Sequence, residues 1–301
     1  MRHAFLIAAY NNFFVLEKLM LLLDDERNDI YLHVDKKVED FDETFFATLC
    51  QHARVILVPR MRVYWGDYSQ IESIVEMMRL ALDRGEYSYL HLVSDSDLPL
   101  QSCDEMHRFF TSHAGREFVA FNKASPQAHW WVALRHPLNR YYRSPKPLVR
   151  RAYLRARTVA LWGQRRLGVD RTAGFGVELR YGSDWYSVSS ELAAFIVSRQ
   201  ADLRRMFKGA FIPTEFYVQT LVWNSYFRDR VFDYDEPYRS NVRLIDFARG
   251  AGAGSPTTWV EADLDELTSS DRMFARKFDP NVDKVVIEKL YEHVLITSGR
   301  A

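Results

Sequence analysis

The residues best suited to chemistry in this chain are carboxylates that follow an abrupt end to an apolar run. Tyr89-Leu90-His91-Leu92-Val93-Ser94 reads as a buried strand, and Asp95-Ser96-Asp97 stands at its carboxyl end. In open α/β sheets ligands bind at that end. Two carboxylates there can hold Mn²⁺ or Mg²⁺ against a diphosphate. The same tripeptide also serves as a solvated turn that caps the helix after Pro99. A third acid, Glu215, lies in Phe211-Ile212-Pro213-Thr214-Glu215-Phe216, where Pro213 and Thr214 suit a helix start. A carboxylate in a first turn is favoured by the helix dipole, whatever else it does.

These acids need a sheet to carry them. Ala4 to Tyr10, Ile30 to Asp35 and Arg54 to Val58 read as further strands, the second ending in Asp35. Between them Phe14, Leu16, Leu19, Met20 and Leu23 recur at helical spacing, as do Ile71, Ile74, Val75, Met78 and Leu82. Strands alternating with helices predict an α/β fold with a mostly parallel sheet. Tyr64 to Ser69 is an aromatic-rich loop, and Phe118 to Phe121 the next strand. Gly182 to Ser189 reads as a strand entering a helix from Glu191 to Arg199, capped by Ser189 or Ser190. A helix follows from Tyr217 to Tyr226, then a flexible loop from Gly250 to Gly254, and Val282 to about Leu295 forms the last helix. Residues 1–121 thus read as a nucleotide-binding half and 122–301 as an acceptor half of a single domain. His33 and His91 sit within strands and are expected to be packed or hydrogen-bonded.

Forty basic and forty acidic residues cancel, so no global field points to nucleic acid. The balance is local. From Arg135 to Arg171 eleven Arg or Lys residues face one acid, Asp170, with Tyr141, Tyr142, Tyr153 and Trp162 interleaved. Such a basic helical insertion suits an anionic membrane surface, an anionic acceptor, or a solvated face. Cys50 and Cys103 have neither disulfide-framework nor zinc spacing. Without a signal-peptide pattern or a long apolar run, the expected location is cytoplasmic, with peripheral contact at the inner face of the cell membrane.

Six colinear stretches resemble the core-2/I-branching N-acetylglucosaminyltransferases and the related peptide O-xylosyltransferases (glycosyltransferase family 14). They are the first strand; Leu32-His33-Val34-Asp35-Lys36-Lys37; Tyr64 to Ser69 with its helix; Ser94 to Gln101; Gly182 to Ser189 with Pro213-Thr214-Glu215; and Phe274-Ala275-Arg276-Lys277-Phe278-Asp279. The resemblance implies a GT-A type fold, a Rossmann-like mostly parallel sheet flanked by helices. It also implies inverting transfer from a UDP-sugar, UDP-N-acetylglucosamine first, to a glycan or lipid-linked glycan hydroxyl, with no metal ion required. By the same match Glu215 is the general base, Asp35 and Tyr64 hold the donor, Lys277 neutralises the diphosphate, and the acid kept at Asp97 faces the sugar hydroxyls of donor or acceptor. Asp95, which the family does not pair with it, and Arg276, as a substitute arginine, are placed on the donor side with them. Asp184 and Trp185 fall on the acceptor side, where Trp185 has a face to stack on a sugar ring.

Where the pattern departs, the expectation branches. The family's second diphosphate-binding arginine has no counterpart in 250–255, leaving Arg243, Arg249 or Arg276 as replacements. Animal members carry a membrane anchor and disulfides not found here, which fits a bacterial-type member. A metal-dependent transferase using Asp95 and Asp97 with UDP-galactose or UDP-xylose, or a non-catalytic glycan-binding module, stands as the alternative.

Overall fold

The computed structural model describes residues 1–123, 126–249 and 256–299. The chain opens with β1 (His3–Ala9), α1 (Phe13–Leu22), β2 (Asn28–Val34), α2 (Glu43–Thr48), β3 (Arg54–Leu57), α3 (Ser69–Arg84) and β4 (Tyr89–Ser94). These four strands are parallel, in the order β3-β2-β1-β4. Along β1, Ala4 and Leu6 pack into one hydrophobic layer while Phe5, Ile7 and Ala9 pack into the other. Burial on both faces is why the strand is apolar from Ala4 to Ala9 and does not alternate.

Next come β5 (Asp97–Pro99), α4 (Cys103–Ser112), β6 (Phe118–Val119), α5 (Pro126–Ala133), α6 (Pro147–Arg166) and β7 (Tyr186–Ser189). The expected strand from Gly182 is therefore shorter, and it runs antiparallel to both β4 and β6, completing a six-stranded sheet. Because β6 ends and β7 begins at the carboxyl rim of the parallel strands, the whole excursion through α5 and α6 starts and finishes at that rim. Chain direction thus places the basic insertion beside the ligand-binding edge.

The remainder is α7 (Ser190–Ser198), α8 (Gln200–Phe207), α9 (Tyr217–Trp223), α10 (Pro237–Ser240), β8 (Arg243–Ile245), α11 (Leu264–Ser269), β9 (Phe274–Arg276) and α12 (Lys284–Thr297). Ser189 caps α7 through a hydrogen bond from Leu192 N–H. Strands β5, β9 and β8 form a second, small sheet. Helices α3, α7, α8 and α9 cover one face of the large sheet; α1, α4 and α12, with the small sheet, cover the other. This is the expected helix-flanked, mostly parallel α/β architecture. The expected loop at Gly250 to Gly254 lies outside the described residues.

Candidate active site

Asp95 and Asp97 are both buried, and neither caps the helix after Pro99, which Ser102 caps instead. Asp95 Oδ2 accepts hydrogen bonds from the backbone N–H groups of Tyr10, Asn11 and Asn12 at 2.7, 2.9 and 3.0 Å. Its charge therefore closes the turn between β1 and α1, a short-range anion site built from the chain's own amides. Asp97 Oδ2 accepts from the Ser94 hydroxyl at 2.8 Å, and Asp97 Oδ1 from Arg276 Nη1 at 3.0 Å. Arg276 also donates to Ser94 Oγ at 2.6 Å, and its guanidinium lies 4.2 Å from the centre of the Trp185 ring. A cation already stands against Asp97, and one oxygen of Asp95 is saturated by amides. Among the described residues no three His, Cys, Asp or Glu side chains form a metal-binding group.

Glu215 belongs to a 3-10 turn, Pro213–Glu215, that precedes α9 and is not its first turn. Ile212, just before it, has a φ of 49°, left-handed backbone that a β-branched residue adopts only under constraint. Hydrogen bonds from Ile212 N to Gly66 O at 3.0 Å and from Phe211 N to Trp131 O at 2.8 Å impose it. Gly66 is itself left-handed, with φ 70°. On the facing loop, Gly182 N donates to Glu215 O at 2.9 Å, and a Cβ at Gly182 would lie 1.9 Å from the Ala120 carbonyl oxygen. Only glycine lets these backbones approach so closely.

The two loops bring Asp184 beside Glu215. Burial pushes the Glu215 carboxyl well above the usual carboxylate range, the Asp184 charge adds to this, and a hydrogen bond with Tyr181 pulls part of it back. Asp184 is also raised by burial, with Thr214 and the Arg276 charge opposing. Glu215 Oε2 and Asp184 Oδ1 are buried and have no hydrogen-bond partner among the described residues. A buried carboxylate pair of this kind favours holding one proton, so one member is poised to gain or lose it near neutral pH. Asp184 thereby links Glu215 to Arg276, which in turn pairs with Asp97 at the start of β5.

Toward β2, Asp35 is buried and forms an ion pair with Lys37 at 3.1 Å, while Lys37 Nζ sits 4.6 Å from the Tyr64 ring centre and 5.4 Å from that of Tyr10. Asp35 and Tyr64 thus meet through a lysine that the sequence reading passed over. Lys277 lines a cavity of about 330 Å³ with Asn11, Asn12, Ser96 and Phe278. That cavity adjoins the turn Asp95 closes, and Phe278 N donates to Ser96 O at 2.9 Å. Of the three arginines considered, Arg243 is wholly buried, stacked on Phe274 and bound to the carbonyls of Leu92, Tyr186 and Asn241. Arg249 pairs with Asp246 and Asp263. Arg276 alone of the three stands beside the carboxylate pair.

Trp185 has one face occupied by Arg276, Tyr68 is in the core, and Trp65 stacks on Tyr142 with rings 5.4 Å apart. Tyr181 escaped sequence reading, and Ser94 and Thr214 entered it only as a strand end and a helix start. For Ser94 a signal existed: Ser-x-x-Asp is a spacing at which a hydroxyl meets a carboxylate across a turn.

A family model described as the core-2/I-branching enzyme matches residues 3–262. Among curated proteins, xylosyltransferase sqv-6 of Caenorhabditis briggsae is 23% identical over 294 residues, covering 89% of this chain and 33% of that protein. Xylosyltransferase oxt of Drosophila melanogaster is 21% identical over 285 residues, covering 87% and 30%. The chain spans about a third of the length of these relatives. Among solved structures, mouse xyloside xylosyltransferase 1 in its apo form aligns with 91% of this chain and 97% of that one, at TM-score 0.39 and 11% identity. Staphylococcus aureus TarS 1-349 aligns with 74% and 56%, at TM-score 0.35 and 10% identity.

Proposed function

Because the chain belongs to the core-2/I-branching enzyme family, we propose that it is an inverting glycosyltransferase of GT-A type that moves a sugar from a UDP-sugar to a glycan hydroxyl, with UDP-N-acetylglucosamine as the leading donor. The observation that carries this reading is the buried Glu215 carboxyl, raised by its surroundings and set beside Asp184. As general base, Glu215 takes the proton from the acceptor hydroxyl while that oxygen attacks the anomeric carbon. The bond from that carbon to the diphosphate breaks on the opposite face. Arg276 and Lys277 then supply the charge that stabilises the departing UDP. Asp35, Lys37 and Tyr64 form the nucleoside end, and Asp97, fixed by Ser94 and Arg276, offers a carboxylate to sugar hydroxyls. No metal is needed in this scheme, since a guanidinium already neutralises Asp97. The relatives named as xylosyltransferases favour UDP-xylose as the second donor to test.

Glu215→Gln is the direct test. Loss of a positioned general base costs about 10² to 10⁴ in rate. Removing a buried carboxylate that its environment disfavours leaves the melting temperature unchanged or higher. Turnover within a few-fold of wild type, measured as UDP release with acceptor present, would remove Glu215 from the mechanism.

A further inference from the structure

Among the described residues, the hydrogen bonds that tie helix α6 to the body leave from one side of it. Tyr153 donates to Asn139 at 3.1 Å, Arg157 reaches His136 Nδ1 at 3.1 Å and the Phe211 ring at 4.6 Å, and Gln164 bonds both the N–H and the carbonyl of Arg135 at 2.8 and 2.9 Å. Residues 153, 157 and 164 fall on one helical stripe. The opposite stripe, at spacings of three and four, is Leu148, Ala152, Arg155, Val159, Trp162 and Arg166. On it Leu148 is 81%, Val159 68% and Trp162 61% exposed, and Arg151, Arg155 and Arg166 are exposed with them.

We propose that this outer face of α6 docks on an anionic lipid membrane, lying in the plane of its surface. A helix of 20 residues is about 30 Å long, enough to lay three apolar side chains among headgroups. Arginine stems cover apolar surface while their guanidinium groups meet lipid phosphates, and a tryptophan suits the boundary between the two. Charge selects this occupant. Eleven basic residues against one acid between 135 and 171 repel a second copy of the same face. Nucleic acid would engage the arginines yet leave Leu148, Val159 and Trp162 in water. No described helix is long and apolar enough to cross a membrane, so contact from this face is peripheral. The inner side of α6 packs through Arg157 on Phe211, four residues before Glu215, so docking would set the catalytic rim at the lipid surface. This inference rests on the surface alone and does not depend on which reaction the site performs.

The test is co-sedimentation of the whole chain with vesicles of phosphatidylcholine alone or with one-third phosphatidylglycerol. Binding is expected to the anionic vesicles, to weaken steeply with salt, and to fall about fivefold for each arginine neutralised in Arg151→Gln/Arg155→Gln/Arg166→Gln. Leu148→Ser/Val159→Ser/Trp162→Ser is expected to bind at least tenfold more weakly, with circular dichroism melting unchanged because the altered side chains are exposed. Absence of binding at low salt overturns the proposal. So does apolar-variant binding equal to wild type, or duplex DNA held as tightly as the vesicles, either of which would mark a general polyanion site.

Discussion

Replacing Asp184 by asparagine removes a negative charge from beside Glu215 while keeping the side chain's size. In the structure the Asp184 charge ranks second only to burial among the causes that raise Glu215. Like charges shift one another within roughly 4–6 Å, and at 6 Å with an effective dielectric near 20 the interaction is about 2.8 kcal/mol, or two pKa units. Arg276 opposes the Asp184 charge, so about one unit should be recovered. A general base works only when ionised, so kcat/KM rises with pH through the free-enzyme pKa of Glu215. That limb should lie well above the ordinary carboxylate value of about 4.3, and in Asp184→Asn it should move down by about one unit. The assay is UDP release at subsaturating donor from pH 5 to 9, with circular dichroism at each end to exclude unfolding. An unshifted limb, or one moved upward, would refute electrostatic coupling between the two carboxylates.

Other perturbations follow from the same contacts. His3, His91 and His107 are buried together, stacked or hydrogen-bonded, with burial lowering His3 to about 2, His107 to about 4 and His91 well below its usual value. Because the unfolded imidazoles titrate near 6.5, the unfolded chain binds more protons below that pH. Stability from this trio should fall between pH 6.5 and 4, by up to about 1.4 kcal/mol per unit for each ring, and urea midpoints for a His3→Phe/His91→Phe variant should show a shallower acid slope. Glu117, raised to about 7 by burial, acts in the opposite sense and gains stability as pH falls through that value. Asp95→Asn weakens three charge-assisted bonds to the turn after β1 and should cost about 1–3 kcal/mol in denaturant titration. Turnover should persist in excess EDTA; complete loss restored by Mn²⁺ would mean that Asp95 and Asp97 abandon their amide and guanidinium partners for a metal.

The parallel half of the fold was legible because both faces of β1, β2 and β4 are buried, which writes itself into the chain as mostly apolar runs without alternation. Ser189 announced its helix start through its capping preference. The small sheet was not legible, since β5, β8 and β9 have three residues each, too few to show a period. Nor was the reversed direction of β7, which depends on where α6 returns the chain. Glu215 and Asp184 were singled out by resemblance, but nothing in a separation of thirty-one residues says that they share one buried space. That follows from Gly182 lying against the Ala120 carbonyl, a packing fact with no local signature. Asp95 read as a ligand or a cap, and the amides it caps belong to a turn more than eighty residues earlier.

Asp97 and Arg276 are directly opposed partners in the pairing of β5 with β9. Their meeting is thus decided by alignment as much as by residue identity. A slip of one residue in this pairing would bring Lys277 opposite Asp97 and turn Arg276 to the other side of the ribbon, with every functional residue still present. Residue-by-residue comparison of relatives would miss such a defect, whereas the alignment of these two short strands would reveal it.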